Sequence, residues 1–204
     1  MKLKEGVTEV YGKFIRKYKI PKRYIDDLNE KYEKAKAHLT SFGPHLAGHI
    51  ESELNVTPIL EKAKAFKVIT KCMDDYINKK IEYNLLGRGS KHLEIISCWI
   101  NDMKEHEYNP PHTHHNLTGY SVVLFLKVPT FLPTASLPHK FKDGQIAFIG
   151  IDGSGSSWKI PKVGDFYIFQ ADHQHFVMPF KTEKPTDVRR SMSFNFIIKP
   201  PIKK

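Results

Sequence analysis

Residues 163–180 read VGDFYIFQADHQHFVMPF, and the fold turns on how that run is parsed. Pro161-Lys-Val-Gly164 has turn chemistry, Asp165 to Gln170 reads as a strand, and a short polar loop leads to a second extended run from His175 to Phe180. Working outward, similar short apolar runs lie at His92–Asn101 (HLEIISCWIN), Tyr120–Val128 (YSVVLFLKV), Gln145–Ile151 (QIAFIGI) and Ser191–Ile198 (SMSFNFII). Asn109-Pro110-Pro111, Asp143-Gly144 and Asp152-Gly153-Ser154-Gly155 punctuate them. Many short strands with such turns predict a jelly roll or sandwich, not alternating βαβ units.

The first 85 or so residues read mainly as helices. After Pro21, the residues Tyr24, Ile25, Leu28, Tyr32 and Ala35 keep helical spacing. Leu60, Ala63, Phe66, Ile69, Met73, Tyr76 and Ile77 form a second stripe, with Thr57-Pro58 as its start. LAGHIESELNV between the stripes reads as a loop or short helix. The expected class is α+β, a jelly-roll (double-stranded β-helix) core with an N-terminal helical layer. At 204 residues it is one domain, with 1–88 as helical support and 89–204 as the core.

A formal charge of +10, with lysines clustered near both termini, would attract an acidic or nucleic-acid partner, but no nucleic-acid motif accompanies it. Cys72 and Cys98 are too few for a disulfide scaffold and read as small buried hydrophobes. No apolar run approaches the ~20 residues of a membrane span. MKLKEGVTEVYGKF at the start lacks a signal-peptide apolar region. The expectation is a protein of a reducing cytoplasm, bacterial or of a host if virus-encoded.

Residues 109–116, NPPHTHHN, carry three histidines. His112 and His114, two apart, point to one side of an extended backbone and could bind one metal ion, which imidazole alone does not identify. In strand alternation Arg189, Ser191, Ser193 and Asn195 share one face, and Arg190, Met192, Phe194 and Phe196 the other. An arginine facing inward from such a strand needs an anion, because an unpaired buried guanidinium is costly.

The order H-x-H, a G-D turn with a strand before a distal histidine, then R-x-S resembles the 2-oxoglutarate/Fe(II) dioxygenases. The closer similarity is to a branch found in phage and marine bacterial proteins, through NPPHTH, GYSVVLFLKVP, VGDFYIFQADHQHFVMPF and RRSMSFNF, over roughly residues 95–198. It implies His112 and His175 as metal ligands, with His114 standing where the commoner pattern has Asp or Glu. It implies Arg189 as partner of the distal carboxylate of 2-oxoglutarate, and Ser191 as a further donor to it. Arg190 is the rival if the register slips by one residue. Asn101 and Tyr120 are weaker candidates for co-substrate contact. Fe(II), 2-oxoglutarate and dioxygen follow as cofactor and co-substrates, with ascorbate as activator. The implied chemistry is decarboxylation of 2-oxoglutarate to succinate coupled to hydroxylation of a peptidyl residue, a nucleobase or a small metabolite.

Competing assignments stay open at this point. Asp172, His115 or His173 could supply a ligand instead. His45, His49, His92, His106 and His139 read as surface or satisfied core residues. Trp99 and Asn101 are expected on one strand face with Ile95, and the loop Pro129–Gly144 is expected to touch substrate. A cupin-type metal enzyme that does not use 2-oxoglutarate, or a non-catalytic basic binding module on the same fold, are the alternative functions.

Overall fold

A computed structural model describes residues 7–10, 13–88, 92–114, 118–133, 141–153 and 155–199. In chain order the elements are β1 (Val7–Val10), β2 (Phe14–Lys19), α1 (Lys22–Ala35), β3 (Glu53–Asn55), α2 (Thr57–Lys62), α3 (Phe66–Glu82), β4 (His92–Met103), β5 (Asn109–His112), β6 (Tyr120–Lys127) and β7 (Phe131–Leu132). There follow β8 (Ile146–Ile149), β9 (Ser156–Lys159), β10 (Asp165–Gln170), β11 (His175–Val177), β12 (Lys181–Thr182) and β13 (Arg189–Lys199).

Seven strands form one sheet in the order β1-β2-β10-β6-β13-β4-β3, and four form a second in the order β5-β11-β8-β9. All pairings are antiparallel. Strand alternation gives the large sheet two apolar faces. Tyr18, Val122, Leu124, Phe166, Ile168, Met192 and Phe194 turn toward the helices, where Ile25, Leu28, Tyr32, Ile69, Met73 and Tyr76 complete one core. Ile15, Val123, Phe125, Tyr167 and Phe169 turn the other way and meet Ile146, Phe148 and Val177 of the small sheet. The result is a jelly roll with a helical layer on its back, the expected fold class.

The N-terminal region is less helical than its periodicity predicts. β1, β2 and β3 belong to the large sheet, and the second stripe breaks at Ala63, which is extended (φ −80°, ψ 144°), splitting it into α2 and α3. The turn before β10 holds Gly164 at φ 83°, where a Cβ would lie 2.6 Å from the Ile20 carbonyl oxygen. Only glycine lets β2 and this turn approach so closely. Cys72 and Cys98 are both free and buried, as expected. Among the described residues no helix is long and apolar enough to cross a membrane.

Candidate active site

Between the two sheets lies a cavity of about 920 Å³. The small sheet supplies two histidines to it: in the β5–β11 pair, His112 and His175 are direct partners. His114 lies just beyond β5, where its backbone N–H donates to the Ala171 carbonyl at 2.8 Å. One ring nitrogen from each of the three lies within 4.8 Å of the others, and the Nε2 atoms of His114 and His175 are 3.2 Å apart.

The free edges of two rings are oriented from behind. His112 Nδ1 lies 2.7 Å from the Pro110 carbonyl oxygen, and His175 Nδ1 lies 2.9 Å from that of His173. A carbonyl only accepts, so each Nδ1 carries the proton and each Nε2 keeps its lone pair, the form that ligates a metal. Burial favours the neutral rings further. It lowers the pKa of His112, takes that of His114 down to about 3 with help from His112, and takes that of His175 well below the usual range. Three neutral imidazoles, two of them held this way, suit Fe(II) among other borderline metals.

The large sheet forms the facing wall. Arg189, Ser191, Ser193 and Asn195 of β13 line the cavity with Trp99 and Asn101 of β4. Arg189 is 2% exposed; its Nε donates to the Gly144 carbonyl at 3.0 Å and its guanidinium carbon sits 4.8 Å from the Phe125 ring centre. Its Nη2 is buried with no partner, and burial lowers its pKa to about 9. Asn101 Oδ1 is also buried without a partner, and Ser191 is 2% exposed beside it in register. A guanidinium left this way, with polar neighbours in the same cavity as the histidines, fits a dicarboxylate co-substrate.

Not every expected residue arrives. Arg190 faces the helices, held by Asp102 (2.5 and 2.8 Å), Glu33 (2.8 Å) and Asn29 (3.1 Å) over the Tyr32 ring, so it is a structural ion pair and not a co-substrate ligand. Tyr120 is a correction: it points to the helix-side core, against Tyr76 and Phe196, because it shares strand parity with Leu124. Ile95 does not share a face with Trp99. The partner of Asn195 is Ser97 and that of Phe196 is Ile95, so Ile96 is a bulge residue that flips the alternation. Asp172 is paired with Lys13 at 2.7 Å and His173 with the Ile149 carbonyl at 3.0 Å, which removes both from the ligand set. His115 lies outside the described residues.

Of the loop Pro129–Gly144, residues 134–140 also lie outside the described residues, and its described ends do not line the cavity; Gly144 contributes the carbonyl that holds Arg189. A rim the sequence did not announce is the stretch 42–50, where Phe42 stacks on Trp99 with centroids 5.3 Å apart. His45, expected as a surface or core residue, belongs to that rim. Only tertiary contact places it, and no local pattern marks it.

This fold and this site together define a 2-oxoglutarate/Fe(II)-dependent oxygenase, for which Fe(II), 2-oxoglutarate and dioxygen are cofactor and co-substrates. Residues 97–195, from within β4 to within β13, match the family described as "Putative 2OG-Fe(II) oxygenase". No curated protein matches the sequence. Three similar solved structures are a prolyl-4-hydroxylase from Pseudomonas putida (17% identity, 91% of this chain and 93% of that one, TM-score 0.59), the viral collagen prolyl hydroxylase of Paramecium Bursaria Chlorella virus-1 in its 2OG complex (14%, 92% and 98%, 0.60), and a Trichoplax adhaerens prolyl hydroxylase with a hypoxia inducible factor peptide (12%, 90% and 83%, 0.59). At these identities they show the shared fold.

Proposed function

We propose that the chain is a hydroxylase in which His112, His114 and His175 hold Fe(II), and Arg189 and Ser191, with the Asn101 amide N–H beside them, hold the distal carboxylate of 2-oxoglutarate. The observation that carries this reading is the pairing of three convergent neutral imidazoles with a buried guanidinium that has no anionic partner among the described residues, in one cavity. When bound, Fe(II) and 2-oxoglutarate supply, with dioxygen, the oxidant for an unactivated C–H bond, while 2-oxoglutarate leaves as succinate and carbon dioxide.

The protein's own part is positioning. The Pro110 and His173 carbonyls fix the tautomers of His112 and His175, so neither of these rings has to move a proton for a metal to bind. Arg189, tethered at Gly144, presents its unpaired Nη2 to a carboxylate in a dry wall, where a charge-assisted bond is strong. Phe125 and Phe148 help exclude water behind the two groups. The solved relatives named above include a prolyl-4-hydroxylase and a prolyl hydroxylase holding a peptide, which favours a residue of a polypeptide as the substrate over a nucleobase or small metabolite.

The test is succinate formation from 2-oxoglutarate by protein purified without oxygen and given Fe(II) and ascorbate. Wild type should turn over slowly without substrate, and His175→Ala and His114→Ala should not. No succinate from wild type, with no calorimetric binding of 2-oxoglutarate to the metal-loaded protein, would put a cupin-type enzyme in first place.

A further inference from the structure

The cavity extends well past the part that this reading assigns. Along β13 the lining side chains Arg189, Ser191, Ser193, Asn195 and Ile197 step from a closed end to a mouth. Arg189 is almost wholly buried, whereas Ile96 and Thr118 at the other end are exposed. Six residues of strand span about 20 Å, so a five-carbon dicarboxylate held at Arg189 does not also reach Asn195. The histidines lie between: His114 is 5.9 Å from the Trp99 ring, and Trp99 is the register partner of Ser193.

The mouth half carries its own unsatisfied polar group. Asn195 is 8% exposed; its Nδ2 donates to Ser97 Oγ at 3.3 Å, and its Oδ1 has no partner. The Ser97 hydroxyl accepts that bond and keeps a proton to donate. One acceptor and one donor side by side match the N–H and C=O of a secondary amide. Ile96, turned out by the bulge, and Ile197 flank them with apolar surface.

Charge narrows the class further. Apart from Arg189 and the histidines, no described residue lining the cavity carries a formal charge. An ammonium, carboxylate or phosphate brought to the mouth half would lose water and meet no described lining side chain of opposite charge there, while a neutral amide would lose little. We infer that this half is an amide-reading subsite that takes an uncharged, internal stretch of a polypeptide chain and rejects free amino acids, ionic side chains and nucleotides. The positive charge of the whole chain therefore does not extend to its cavity. The inference rests on the co-substrate assignment above, since it is Arg189 that the co-substrate neutralises.

The experiment uses full-length protein loaded with Zn(II), which is redox-inert, and 2-oxoglutarate. Calorimetry first measures 2-oxoglutarate itself, and failure there sinks the co-substrate reading separately from the subsite. Ligand-observed NMR then compares Gly-Pro-Gly and Gly-Val-Gly capped by acetyl and amide groups with the same peptides uncapped, with capped Gly-Lys-Gly and Gly-Glu-Gly, and with thymidine 5′-monophosphate. The capped neutral peptides should bind about tenfold or more tighter than every ionic probe. Asn195→Asp should weaken them and favour the lysyl peptide, and Asn195→Ala gives the same loss of neutral binding if the Asp variant does not fold. Equal binding of neutral and ionic probes would overturn the subsite. So would no binding of capped peptides at millimolar concentration while 2-oxoglutarate binds, or an unchanged affinity in Asn195→Ala.

Discussion

Among the described residues Arg189 has one hydrogen bond, to the Gly144 carbonyl, and an aromatic face beneath it, but no carboxylate partner. A charge buried like this destabilises the empty protein and makes an anion welcome, so one substitution should separate the two effects. Arg189→Met is expected to weaken 2-oxoglutarate binding about 10- to 150-fold, the equivalent of the roughly 1.5–3 kcal/mol of a charged hydrogen bond. The same variant should melt higher than wild type without ligand; calorimetry and thermal unfolding on one preparation decide it. Burial lowers the guanidinium's pKa from its usual range, but an arginine keeps its proton at working pH, so the cation that binds 2-oxoglutarate is present throughout.

At the scale of the element, β13 divides the labour between its faces: Arg189 and Ser191 look into the cavity, and Arg190 between them is locked to Asp102 of β4 and Glu33 of α1. Because Arg190 and Asp102 are direct register partners, their pair pins the same two strands that carry Arg189, Ser191 and Asn101. Removing Asp102 leaves Arg190 with Glu33, more exposed, as its one carboxylate. Asp102→Ala should therefore cost up to about 3 kcal/mol in urea unfolding, the low end for a broken buried pair, and Asp102→Leu with Arg190→Met should recover most of it. This division was legible in the sequence, because period-two alternation in RRSMSFNF separates the two arginines and needs only a choice of face. Alternation failed where the backbone departs from it, at the Ile96 bulge, since an extra residue in a strand leaves no compositional mark. The orientation of Tyr120 was misread for a related reason: its neighbourhood is apolar on both faces, and burial on both sides of β6 hides which parity faces the helices. The histidines were legible as a pair through their spacing, but the convergence of His175 on His112 is a strand register, which no local signal encodes.

For the whole molecule, the histidine cluster ties metal to stability. The three rings join β5, β11 and the segment after β5, and in the folded state all three are held neutral by burial, His114 down to about 3. An unfolded histidine takes up a proton near pH 6.5, so below that pH the unfolded chain binds more protons and the fold loses stability progressively. A metal ion that binds the neutral rings acts in the opposite sense, since it favours the folded state. At about 100 times its dissociation constant it should add about 2.7 kcal/mol, a melting increment of about 5–10 °C for a chain of this size. Co(II), which is stable in air, is the convenient probe. The increment should be full near about pH 7.5, persist at about pH 5.5 because the folded rings stay neutral there while the metal-free baseline falls, vanish with chelator, and be absent from His175→Ala at every pH. If His175→Ala keeps the increment, the ion sits elsewhere and the three histidines are not its ligands. If wild type shows none at neutral pH, the cluster does not hold a metal, and the oxygenase chemistry loses its centre.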